Sequence, residues 1–180
     1  MVCIKHKSNK DRKLSRQQKS CAAVSVRRFS ISQDVTDASY IELVRFCARH
    51  SCVAVFVVTM QKSENNQCRD ILRKIVSLGG EIETVQEWPG TIRYGKSFAD
   101  KYTVQMSLEI LSLIEESAKT LFSWLLPKLP EDLCFLRRDS SVLLYSTTHE
   151  RFASVNMTEN EYDEWKTNHV LSQIKLNPIK

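Results

Sequence analysis

Leu129 to Glu150, LPEDLCFLRRDSSVLLYSTTHE, reads as a β-hairpin that ends on an adjacent His149-Glu150 pair. Pro130 leads into two apolar, β-prone runs, Leu133–Leu136 and Val142–Ser146, and the polar turn Arg137-Arg-Asp-Ser140 joins them. Downstream, Phe152–Val155 supplies a possible third strand. Thr158-x-x-Glu161 then forms a capping box that opens a last helix through Tyr162 and Trp165. Upstream, a long helix is expected from Ser107. Leu108, Leu111, Ile114, Ala118, Leu121, Phe122 and Leu125 recur on one face, and Pro127 stops it.

The first half repeats a different pattern. Phe29–Ile31 suits a short edge strand. Thr36 or Asp37 caps a helix with Tyr40, Leu43, Val44 and Cys47 on one face. Cys52–Thr59, CVAVFVVT, is continuous and β-branched, as a central strand covered on both faces should be. Asn65 or Asn66 caps a second helix carrying Cys68, Ile71, Leu72 and Ile75, and Gly79-Gly80 ends it. Glu81–Glu87 alternates, with one acidic face exposed. Trp88-Pro-Gly-Thr91 is a turn, and a strand is expected around Tyr102–Val104. The expected fold is therefore α/β of the mixed α+β kind. A single mixed sheet carries strand–helix–strand–helix–strand, then a long helix, a C-terminal hairpin and a final helix, with parallel crossovers in the first half.

At 180 residues the chain suits one domain, and four glycines and four prolines exclude low-complexity architectures. The net charge of +5 is an average over two unlike parts. Residues 1–30 carry +8 and residues 31–180 carry −3. Residues 1–28 are expected to be a disordered basic extension, 29–171 the domain, and 172–180 a frayed tail. No apolar run reaches the roughly 20 residues of a membrane span. Six cysteines without an export signal point to reduced thiols, and the location expected is cytoplasmic.

Glu87-Trp-Pro-Gly-Thr91, Leu129-Pro-Glu-Asp-Leu-Cys-Phe-Leu-Arg137 and Ser146–Glu150, in that order, resemble a family of small bacterial proteins of uncharacterised function. Some of its members carry the label "stage III sporulation protein AH". The resemblance covers about residues 29–170. It implies no catalytic assignment. The chain departs from the family's look in the hairpin, with Ser141, Val142 and Leu143 where an aromatic residue and a glycine are expected. It also has no anchoring segment of the kind found in the sporulation protein that bears this label.

Four groups of residues are candidates for chemistry or recognition. His149 and Glu150, with Asp132 and Glu131 at the other end of the hairpin, offer an imidazole and carboxylates for general acid–base work. The bland alternative is that the His-Glu pair closes the hairpin. Cys134 is a nucleophile only if Arg137 or His149 lowers its pKa. Cys47-x-x-His50-x-Cys52 lacks the second pair that tetrahedral zinc requires, so neither a metal nor a cofactor is expected. There is no phosphate-cradling glycine loop. Trp88, Arg137, Arg138 and Arg151 are the candidate partner contacts. The leading expectation is a non-enzymatic interaction protein, of the accessory or immunity type, with a protein partner. The alternatives are a small hydrolase built on His149, Glu150 and Asp132, and weak polyanion binding by residues 5–28.

Overall fold

The computed structural model describes residues 25–59 and 64–179. The elements run β1 (Val26–Ile31), α1 (Asp37–His50), β2 (Val53–Thr59), α2 (Asn66–Ser77), β3 (Glu81–Val85), β4 (Glu87–Trp88), β5 (Thr91–Ile92), β6 (Ala99–Gln105), α3 (Leu108–Ser117), β7 (Glu131–Leu136), β8 (Val142–Thr147), β9 (Phe152–Thr158), α4 (Glu159–Thr167) and β10 (Asn177–Pro178). Short 3₁₀ turns lie at Leu121–Ser123, Thr148–Glu150 and Leu171–Gln173.

The fold is α+β. One eight-stranded sheet has the order β10-β1-β9-β8-β7-β2-β6-β3, and β4 with β5 makes a separate two-stranded ribbon. The expected parallel pairings are absent from it, because every pairing in the sheet is antiparallel. The crossover reading survives in altered form. β1, β2 and β3 do run the same way, but β6 is inserted between β2 and β3, and three strands separate β1 from β2. The helical segments after β6 and β9 likewise join strands of like direction across one inserted neighbour. Local sequence reports the connection, while strands from far along the chain fill the gap.

All four helices pack on one face of this sheet. Phe29, Ile31, Phe56, Phe135 and Val155 from the strands meet Tyr40, Phe46, Ile75, Ile114 and Trp165 from the helices in a single core. Two of its polar side chains pair internally: Trp124 Nε1 donates to Tyr40 Oη at 2.9 Å, and Tyr40 Oη donates to the Ile114 carbonyl at 3.2 Å. The Thr158–Glu161 capping box forms as expected.

Several boundaries differ from the sequence reading. Of the segment 1–28 expected to be disordered, residues 1–24 lie outside the described residues, whereas Val26–Arg28 are strand paired with Asn156–Thr158. The expected frayed tail instead holds β10, which pairs with Phe29 and Ser30. The long helix stops at Ser117, and Ala118 is extended. Beyond it, backbone groups bond to the segment before α1 and not to the preceding helical turn. Asp37 N donates to the Lys119 carbonyl, Leu121 N to the Val35 carbonyl, and Phe122 N to Asp34 Oδ1. Leu121, Phe122 and Trp124 are still buried, which is why the apolar spacing mimicked a continuing helix, while Leu108 is 79% exposed.

Candidate functional site

With the helices on one side, the β4–β5 ribbon covers part of the other face of the sheet. Pro89 presets φ and Gly90 adopts φ 86°, which closes the ribbon as a two-residue turn between Trp88 and Thr91. Gly90 lies against Tyr145 so closely that a Cβ there would stand 2.3 Å from the ring. Trp88 lies on Val55, Val57, Ala99 and Cys134, forming a second, smaller core. It is 4% exposed. The tryptophan proposed from sequence as a partner contact is therefore an anchor of the ribbon, and Arg93 stacks over its ring at 5.5 Å.

The segments Glu87–Thr91, Leu129–Arg137 and Ser146–Glu150 meet at Asp132. β7 has one residue too many opposite β2, since Val55 faces Cys134 but Val57 faces Glu131. The bulge falls at Asp132, whose φ of 55° is left-handed. This re-aims its carboxylate: Oδ2 accepts from Trp88 Nε1 at 2.9 Å and Oδ1 accepts from Thr148 N at 2.9 Å. Ser146 Oγ donates to the adjoining Leu133 carbonyl at 3.2 Å. Burial raises the Asp132 pKa above the ordinary carboxylate value, and the Thr148 and Trp88 donors offset this only in part. At 1% exposure and with both oxygens engaged, Asp132 is a structural clamp and has no open path to a substrate.

Of the other proposed catalytic residues, His149 and Glu150 differ from it in exposure, although His149 lies within electrostatic reach of the carboxylate. His149 and Glu150 sit in the 3₁₀ turn between β8 and β9, both exposed, with Nε2 and Oε1 3.7 Å apart. Arg151 follows in the left-handed region and stacks over Phe122 at 5.9 Å. Cys134 is fully buried beside Asp132, and its Sγ donates to the Asp132 carbonyl at 3.0 Å. Burial drives its thiol pKa up, away from the thiolate that a nucleophile needs. Neither Arg137 nor His149 activates it.

Arg137 is a clamp as well. It forks onto Glu161 (Nη2 to Oε2, 2.6 Å) and also donates from Nη2 to the Asn156 carbonyl at 2.8 Å. Burial pushes the Glu161 carboxyl up, but Arg137 and the Thr158 N–H outweigh it, so the pKa lies below the ordinary value. Arg138 is exposed on the β7–β8 turn. In the Cys47-x-x-His50-x-Cys52 segment, Cys47 is buried in the core and His50 turns to Glu164 at 2.7 Å. Among the described residues no three His, Cys, Asp or Glu side chains are grouped to hold a metal ion. Among the same residues no helix is long and apolar enough to cross a membrane.

What the sequence reading missed is the β3 side of the sheet. Among the described residues, the large apolar side chains left exposed include Val76, Ile82, Ile92, Tyr94 and Phe98, all on α2, β3 or the arm that follows. Tyr94 is 84% exposed. A groove of about 670 Å³, bordered by Trp88, Thr91, Ile92, Lys101 and Leu136, lies next to the ribbon on the helix-free face. A second groove, of about 400 Å³ and mostly apolar, runs along the helix side of β3 between Leu72, Val76, Ile82 and Tyr102. Alternation in Glu81–Val85 signals Ile82 as an inward residue, and it does face the helix layer. It is nevertheless 53% exposed, because β3 is the outermost strand. Its place at the edge is a matter of sheet order, which no local pattern reports.

No family model, no curated protein and no solved structure matches the chain.

Proposed function

We propose that this chain is a protein-binding module, of the accessory or immunity type, which works in the cytoplasm without a catalytic step of its own. The observation that carries this reading is the concentration of exposed Val76, Ile82, Ile92, Tyr94 and Phe98 on α2, β3 and residues 86–98, with one groove on each face of the sheet. Large apolar side chains left exposed in such number within one segment are a mark of contact sites. Aromatic anchors such as Tyr94 are enriched where binding energy concentrates. The resemblance of the Glu87–Thr91, Leu129–Arg137 and Ser146–Glu150 motifs to a small bacterial family belongs to the same reading. Those motifs build the Asp132 clamp that fixes the β4–β5 ribbon within the arm at residues 86–98.

The test is affinity capture from the native host with nuclease treatment and high salt. Wild type is compared with an Ile92→Ser/Tyr94→Ser variant and with an Arg138→Ala/Arg151→Ala variant. The expected result is a stoichiometric protein that is retained by the arginine variant and lost with the Ile92/Tyr94 variant. Retention by the latter and loss by the former would move the site to the hairpin ends and overturn the assignment.

A further inference from the structure

The β3 edge is a ready template for another strand. Among the described residues β3 pairs only with β6, in the register Glu81 to Thr103 through Val85 to Ala99. In an antiparallel pair, alternate residues turn their N–H and C=O groups away from the partner, so among the described residues the outer side of β3 presents unpaired backbone groups. Side chains on an added strand would alternate between the two faces of the sheet. On the helix face they meet Ile82 and the groove of Leu72, Val76 and Tyr102, whose lining also includes Glu64, Arg69 and Arg73. On the helix-free face they meet Glu81 and Glu83, of which Glu83 already holds Lys101 at 2.6 Å. Glu87 continues the acidic character just beyond the strand.

We infer that β3 accepts an extended segment of a partner protein as a ninth strand of the sheet, with apolar residues alternating with basic ones. The apolar set fills the helix-side groove and the basic set lies over Glu81 and Glu83. This inference rests on the protein-binding reading and names the chemistry of its partner. A second copy of this chain is disfavoured as the occupant. Pairing the whole of β3 with its own copy while keeping the helices on one side sets Glu83 against Glu83, and like charges directly opposite each other destabilise a pair. Glu83 thus protects the edge from self-association, and with Glu81 it selects a cationic strand. Strand addition of this kind draws affinity from the backbone and specificity from alternate side-chain pockets.

The experiment uses the full 180-residue chain and fluorescence anisotropy with labelled ten-residue probes. The probes are an alternating lysine–isoleucine peptide, its glutamate–isoleucine counterpart, and a scramble of the first with its residues blocked. Two further versions of the first carry N-methyl groups on odd or even backbone nitrogens. The alternating basic peptide is expected to bind at least tenfold tighter than the acidic one and the scramble. One of the two N-methylated versions should lose binding and the other keep it. The exposed substitutions Glu81→Lys and Glu83→Lys, made together, should reverse the preference between basic and acidic peptides. Equal binding of alternating and scrambled basic peptides, indifference to both N-methylation patterns, or an unchanged preference after the charge swap would overturn the ninth strand. Failure here alongside capture that depends on Ile92 and Tyr94 would remove edge pairing and leave the binding-module reading standing.

Discussion

The Asp132 clamp makes a quantitative prediction about the ribbon. Trp88→Phe deletes the indole N–H and leaves Asp132 Oδ2 buried without its donor. Asp132→Asn keeps an acceptor for Thr148 N but turns an amide donor toward the indole donor. A hydrogen bond to a charged group contributes about 1.5–3 kcal/mol, and an orphaned buried partner costs about 1–3 kcal/mol. Each single substitution should therefore cost roughly 1–3 kcal/mol. The double variant should cost less than the sum of the two, with a coupling of about 1–2 kcal/mol, inside the range for directly bonded residues. Urea unfolding followed by far-ultraviolet circular dichroism reads this as a midpoint lower by roughly 1 M in each single variant. The clamp also has a pH signature. The folded-state pKa of Asp132 is raised, so its contribution to stability is fully present below the ordinary carboxylate value and lost as pH rises through the folded value. Asparagine does not titrate, so Asp132→Asn should lack that fall and cost less at neutral pH than in acid. Additivity within about 0.5 kcal/mol, with parallel pH curves, would refute the clamp.

Further outcomes follow from the same geometry. Glu161→Gln should destabilise toward the lower end of the roughly 3–5 kcal/mol expected for breaking a buried ion pair. Its pH dependence is opposite to that of Asp132: the folded pKa is lowered, so the wild-type contribution is present above the ordinary glutamate value and lost as pH falls through the folded one, as acid unfolding of the two proteins can show. Gly90→Ala should cost about 1–3 kcal/mol, from the clash with Tyr145 added to the positive φ. Gly79→Ala has the same backbone sign but open space around it and should cost only about 1 kcal/mol in thermal unfolding. Under native conditions an alkylating reagent should modify half-buried Cys52 before Cys47 and Cys134, which are buried with thiol pKa values driven up by desolvation. Fast labelling of Cys134 would contradict its place in the second core.

Local patterns in this chain report elements well and neighbours badly. The continuous run at Val53–Thr59, the Asn65 and Thr158 caps and the Leu133–Ser146 hairpin are legible because their causes lie within a few residues. The Asn65 side chain accepts from Cys68 N, as a cap must. The parallel pairings failed because adjacency in the sheet is decided by β6 and β7, which arrive from elsewhere in the chain. The overlong helix failed because Leu121, Phe122 and Trp124 are buried by extended and 3₁₀ backbone, whose apolar spacing coincides with a helical face. At the site, the quoted motifs supply packing and hydrogen bonds within the fold. Trp88, Asp132 and Arg137 are all interior clamps, since each spends its polar atoms on partners within the fold. The exposed set at Ile82, Ile92 and Tyr94 carried no signal, because isolated apolar residues in a sequence are ordinarily buried.

The most direct test of the binding surface is hydrogen–deuterium exchange of the captured complex against the free chain. The β3 strand at Glu81–Val85 and the arm at 86–98 are expected to gain protection on binding, with the turn at Thr148–Glu150 unchanged. Protection confined to the Thr148–Glu150 turn and Arg151, with β3 and the arm exchanging as before, would contradict the account.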